Sequence, residues 1–159
     1  TEETTPTFGA SDIMHLSRVQ LLAAYACTEC GRCTDECPAN QTGKLLSPRK
    51  IMMDTRRRAQ EVSANILQNK GTFVPDQKAL LGDYITPEEL WACTTCAACV
   101  EACPMEISPL SIIVEMRRYI VMEQSAAPAS LNKMMTQMEN TSSPWGYNPA
   151  EREFLNNDQ

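Results

Sequence analysis

Several things are scarce in this chain, and each scarcity excludes something. Aromatic residues make up only 6% of the 159 positions, while methionine occurs nine times. Aliphatic and Met-rich packing favours helices over a β-sandwich, and runs with strand periodicity are nearly absent. No apolar run reaches the roughly 18 residues that a membrane-spanning helix requires. The best candidate, ISPLSIIVEMRRYIVM, is broken by Glu115, Arg117 and Arg118. Basic charge is short as well: the formal net charge is −6, which argues against a nucleic-acid backbone as partner. No signal-peptide pattern is present, and a chain that begins with Thr reads as a processed product or a piece of something longer. The one histidine, His15, lies on an amphipathic segment and reads as structural. QTGKLLS lacks the upstream glycine of a phosphate loop, so Lys44 reads as a residue beside a helix start or a metal site.

What the chain does have is cysteine, in two places only. CTECGRCTDECP runs from Cys27 to Pro38, and CTTCAACVEACP runs from Cys93 to Pro104. Together they hold all eight cysteines. Residues two or three apart on a tight loop rarely reach disulfide geometry in pairs, so four disulfides are a poor reading. Paired CxxC elements also serve zinc, but even spacing of three cysteines on one loop, ended twice by Cys-Pro, is unlike a zinc module. Each run is C-x2-C-x2-C-x3-C-P, the bacterial ferredoxin spacing for a [4Fe–4S] cubane, in which the fourth cysteine ligates the other cluster. This spacing assigns Cys27, Cys30, Cys33 and Cys103 to one cluster and Cys93, Cys96, Cys99 and Cys37 to the other. The cysteines are then ligands and not nucleophiles, and a reducing compartment is expected. Acids and Arg32 in the first loop, against Ala97, Ala98 and Val100 in the second, lead us to expect the second cluster to be the more buried.

The duplication extends beyond the cysteines. SPRKIMMDTRRR follows the first run and SPLSIIVEMRRY follows the second, with Ser, Pro, Ile, an acid and two arginines in register. Each half therefore reads helix, cysteine loop, helix. Ser47 and Ser108 are expected N-caps with proline at the first helical position. Thr86 and Glu89 form a capping-box signature, and Ser17 is a further cap candidate. Ile51, Thr55, Ala59, Val62 and Ile66 trace one helix face that Gly71 can end. The helix after Pro109 is apolar around most of its circumference and is expected to be sandwiched. Arg56, Arg57 and Arg58 read as a solvated face. Residues 71–84 read as a loop. A short helix carrying Leu131, Met134, Met135 and Met138 on one face follows Ser125, and the tail from Ser142 has no periodicity.

These motifs resemble the α-helical ferredoxin domain of succinate dehydrogenase and fumarate reductase iron–sulfur subunits and of heterodisulfide reductase subunits. The flanking text of ACTECGRCTDECPANQTGKLLSPRK and ITPEELWACTTCAACVEACPMEISPL is similar to the ferredoxin section of membrane-linked iron–sulfur oxidoreductases with CCG domains. The resemblance implies an all-α, pseudo-two-fold fold around two [4Fe–4S] clusters. It implies a flexible N-terminus over 1–10, the di-cluster domain over 11–125, and a C-terminal extension over 126–159. It implies electron relay between a flavoprotein-type donor and a quinone-linked or thiol–disulfide acceptor, within an oxidoreductase complex in the cytoplasm or at the cytoplasmic face of a membrane. The chain has no CC pair and no [2Fe–2S] cysteine set, so the expectation is a relay, with no general acid, base or substrate pocket of its own.

Overall fold

The computed structural model describes residues 7–146. The first six residues of the expected N-terminus and the tail from residue 147 lie outside the described residues. Eight α-helices follow in order: α1 (Arg18–Ala26), α2 (Arg32–Asp35), α3 (Pro38–Gln41), α4 (Pro48–Gln68), α5 (Pro87–Ala92), α6 (Ala98–Glu101), α7 (Pro109–Met122) and α8 (Ala129–Thr141). A 3-10 turn at Ile13–His15 precedes them, and no strand occurs among the described residues. The fold is all-α, as the motif pattern leads one to expect. The chain divides into two compact units, one ending at Gln124 and one beginning at Ser125.

Local chemistry sets the helix starts. Ser17 and Gln20 form a reciprocal capping box at α1, and Thr86 and Glu89 form one at α5. The Ser47 hydroxyl accepts from Lys50 N at 3.3 Å, and the Ser108 hydroxyl accepts from Ser111 N at 3.3 Å. Each cap contributes about 1 kcal/mol. Pro48, Pro87 and Pro109 occupy positions whose N–H has no helical acceptor to lose. Gly71, at φ +94°, takes the left-handed turn that ends α4, its N–H donating to Ile66 O at 2.9 Å.

The first unit is built on two long helices. α4 buries Ile51, Met52, Thr55, Ala59 and Val62, and α7 buries Ile112, Ile113, Met116 and Ile120. The two pack against each other; α1 packs on α4, and α5 packs on α7. The short helices α2 and α6 also meet. Each large aliphatic side chain so buried contributes roughly 1.5–3 kcal/mol before entropy is counted. Arg118 and Met122 are the two exposed residues of α7, so the helix is sandwiched as its composition implies. The N-terminal strap closes this unit. Gly9, at φ +79°, lies so near α7 that a Cβ there would stand 2.4 Å from Glu115 O, and the next N–H, of Ala10, donates to that carbonyl at 3.0 Å.

The arginine run corrects one expectation. Arg57 is exposed, but Arg58 is fully buried, because α4 turns it toward two distant carboxylates. Its guanidinium grips Asp12 through Nε at 3.1 Å and Nη2 at 2.8 Å. Nη2 also donates to Asp76 Oδ1 at 2.9 Å and to Lys78 O at 2.7 Å, while Nη1 donates to Asp76 Oδ2. Arg58 holds the Asp76 carboxyl down at about 2. The 71–84 connection is irregular as far as Ala79, but it ends in a π-helical turn at Leu80–Tyr84, broken at Leu81 and Gly82, where the sequence leads one to expect loop. It is tied down by this contact and by Asn65, whose amide donates to Val74 O and accepts from Val74 N. In the second unit α8 starts after Pro128 and ends at Ser142, at φ +52°. Met134, Met135 and Met138 are exposed along it.

Candidate metal centre

The two cysteine loops share one backbone design. In the first, Glu29 and Gly31 flank Cys30 at φ +59° and +88°. In the second, Thr95 and Ala97 flank Cys96 at φ +58° and +63°. Left-handed residues on either side of the middle cysteine coil each loop into a concave nest that turns backbone N–H groups inward. Thr95 N donates to Cys93 Sγ at 3.4 Å. The N–H of Ala98, aided by the Thr94 side chain, holds the Cys96 thiol below its ordinary value. After each loop one helical turn carries the third cysteine, Cys33 on α2 and Cys99 on α6. The chain then leaves the loop, and Cys-Pro marks that departure at Cys37-Pro38 and Cys103-Pro104.

Where the fourth cysteines go is the main geometric result. One cavity is lined by Cys27, Cys30 and Cys33 of the first loop together with Cys103 of the second. The other is lined by Cys93, Cys96 and Cys99 of the second loop together with Cys37 of the first. Cys99 lines both cavities and forms part of the wall between them. Apolar groups complete each lining: Met52, Ile107 and Pro109 in one, Leu46, Leu110 and Ile113 in the other.

Thiol electrostatics follow this grouping in the main, with Cys33 also acting on Cys99 across it. Burial pushes Cys27 and Cys33 up, with repulsion from Cys103 adding to each. Burial pushes Cys99 up to about 11, with Cys93 and Cys37 adding. Cys37 and Cys99 are buried, whereas no thiol assigned to the first set is, so the second set is the less accessible. Cys30 and Cys96, the middle cysteines, are exposed.

The arrangement fits a cubane. Cys27, Cys30, Cys33 and Cys103 line one cavity and Cys93, Cys96, Cys99 and Cys37 the other, with Cys99 reaching both; in the second loop backbone N–H groups face sulfur, and apolar side chains complete each wall. Among the described residues no three His, Cys, Asp or Glu are gathered closely enough to share one metal ion. Thiols spread round a void and not about a point are what a cluster with iron at four corners needs, and they differ from the tight tetrahedron of zinc at about 2.3 Å from each sulfur.

Two arginines to which the cysteine motifs give no role stand beside these loops. Arg56 Nη1 donates to Cys27 O at 3.0 Å, and its guanidinium is ion-paired with Glu29. Arg117 Nε donates to Leu90 O at 3.0 Å, and its Nη2 reaches Cys93 O. Arg56 is therefore not part of a solvated face. The recurrence of paired arginines in register was the available signal. Of the remaining candidates, His15 hydrogen-bonds Ser11 at 3.2 Å, consistent with a structural role, and Lys44 is exposed before α4.

Comparisons with known proteins agree with this geometry. Residues 26–107, more than half the chain, match the family model described as a 4Fe-4S dicluster domain. The chain is 36% identical over 96% of its length to the "Probable iron-sulfur-binding oxidoreductase FadF" of Bacillus subtilis, covering 26% of that protein. It is 34% identical over 94% of its length to the EtfAB:quinone oxidoreductase of Syntrophomonas wolfei, covering 24% of it. It is 32% identical over 75% of its length to one subunit of the ferredoxin/F(420)H(2)-dependent CoB-CoM heterodisulfide reductase of Methanosarcina acetivorans, covering 60% of that polypeptide. The chain thus spans about a quarter of the length of the first two relatives. With the loops, the eight thiols and the matched family in agreement, the chain belongs to the 4Fe-4S dicluster domain family, as an electron-transferring iron–sulfur domain with two [4Fe–4S] clusters.

Proposed function

We propose that this domain relays single electrons between a flavoprotein-type donor and a quinone-linked or thiol–disulfide acceptor, at the cytoplasmic face of a membrane. In this reading Cys27, Cys30, Cys33 and Cys103 hold one cluster, and Cys93, Cys96, Cys99 and Cys37 hold the other. When bound, the clusters supply one-electron redox chemistry. The protein holds them in place, shields them with apolar walls and aims N–H groups at sulfur. The observation that carries the reading is the crossing: Cys103 of the second run lines the first cavity beside Cys27, Cys30 and Cys33, and Cys37 of the first run lines the second beside Cys93, Cys96 and Cys99. The names of the S. wolfei and M. acetivorans relatives, which mention quinone and heterodisulfide, support the two kinds of acceptor. No helix among the described residues is long and apolar enough to cross a membrane, so attachment to one falls to other segments or subunits.

The test is made on protein purified without oxygen, which should carry about eight irons and eight sulfides. Cys30 lines only the first cavity and Cys96 only the second. Cys37→Ser should then reproduce the paramagnetic spectrum of Cys96→Ser and not that of Cys30→Ser, although Cys30 is its neighbour in sequence. The reverse pairing would refute the ligand assignment, and colourless, iron-free, folded protein would refute the relay.

The length of the relatives favours a second reading, in which the same relay serves a catalytic part carried elsewhere in a longer enzyme. Turnover by the longer gene product, with this domain as the inactive control, separates the two.

A further inference from the structure

The repeat places one arginine of each half at the same point of its loop. Arg56, on α4, donates to the carbonyl of Cys27, the first cysteine of loop one, where α1 ends. Arg117, on α7, donates to the carbonyl of Cys93, the first cysteine of loop two, where α5 ends. A guanidinium is well suited to both places, since it meets the negative end of a helix and can span two carbonyls at once.

Their surroundings then differ. Arg56 is ion-paired with Glu29, two residues into the loop that it holds. The residue at that place in the second loop is Thr95, which has no charge. Arg117 has no carboxylate partner among the described residues and lies over the Trp91 ring, 5.1 Å from its centroid. Of this matched pair, Arg56 is therefore compensated and Arg117 is not. Arg49 also faces the first loop, but it is common to every comparison below.

We propose that Arg117 is a positioning residue that raises the reduction potential of the cluster in the 93–99 loop, and that Glu29 cancels the equivalent effect of Arg56 on the cluster in the 27–33 loop. Reduction adds negative charge to a cluster, so a nearby unpaired cation favours the reduced form and a paired one does so much less. This inference rests on the ligand assignment proposed above.

The test is a potentiometric titration of the loaded protein followed by electron paramagnetic resonance, with iron counted in each sample. Arg117→Gln should lower the midpoint of one wave. Glu29→Gln should raise the midpoint of the other. Arg117→Lys, which keeps the charge but not the two-carbonyl fork, should recover most of the Arg117→Gln shift; a purely structural role predicts no such recovery. Glu29 is exposed and lies in the other loop, and Glu29→Gln keeps the shape of the side chain, so its arm stands even where Arg117→Gln loads poorly. The proposal fails if both variants carry full iron with unmoved midpoints, if both move the same wave, or if either moves with the opposite sign. Wild-type protein without iron would instead defeat the cluster reading itself.

Discussion

Replacement of Arg58 by alanine tests the packing argument most directly. The change removes a guanidinium that is wholly buried and that serves Asp12, Asp76 and the Lys78 carbonyl together. Two carboxylates would then face each other without a counter-ion. Breaking a buried pair from one side costs about 3–5 kcal/mol. The side chains of Asp12 and Asp76 keep 15% and 26% of their surface, so water can reach them and hold the cost to about 4 kcal/mol. In a chain of this size each kcal/mol moves the midpoint by roughly 2–4 °C, so a fall of about 10 °C is expected. Far-UV circular dichroism under nitrogen, at one fixed scan rate, measures it. Arg57→Ala is the control: its side chain is 71% exposed, and its loss should stay within about 0.5 kcal/mol. An Arg58→Ala protein melting within about 2 °C of wild type, or no lower than Arg57→Ala, would show that the buried guanidinium is not what joins the 3-10 turn and the 71–84 connection to α4.

Three further outcomes are expected. Gly9→Ala drives a methyl group to 2.4 Å from Glu115 O and 2.5 Å from Tyr119 N, and should destabilise by about 3 kcal/mol through overpacking and a left-handed backbone; urea midpoints measure this, and a change under about 1 kcal/mol contradicts the close approach. Gly31→Ala meets nothing nearer than Arg49 Nη1 at 3.8 Å, and Ala97 already adopts the equivalent conformation; it should cost about 1 kcal/mol and leave iron content unchanged, so a loss of iron speaks against the shared loop design. Asp76, held at about 2 against an ordinary 3.8, contributes stability that is complete above about pH 4 and lost as pH falls through 2. Wild type should accordingly lose about 2 kcal/mol more than Asp76→Asn over that interval in acid-dependent urea unfolding, and parallel curves would count against the pairing.

The features legible in the sequence are those whose chemistry is local. Ser17 with Gln20, Thr86 with Glu89, and the Ser-Pro starts of α4 and α7 each settle within one turn of helix, so they can be read from adjacent letters. The spacing of the cysteines has the same character within a loop. Arg56, Arg57 and Arg58 show where local reading stops. Successive helical residues point about 100° apart, and their partners lie far along the chain: Asp12 is 46 residues from Arg58, and Cys27 is 29 from Arg56. Charge at consecutive positions therefore looked like one solvated face when it served three different surroundings. The 71–84 connection is similar, since Asn65 and Arg58, and no periodic pattern of its own, hold it in place.

Cys99 stands between the two cavities as part of their common wall. A wall to which one buried side chain contributes on both sides leaves little solvent to rearrange as charge crosses it. Charge that crosses there passes beside a buried thiol, whereas Cys30 and Cys96 open to the perimeter, where the domain meets whatever feeds or drains it.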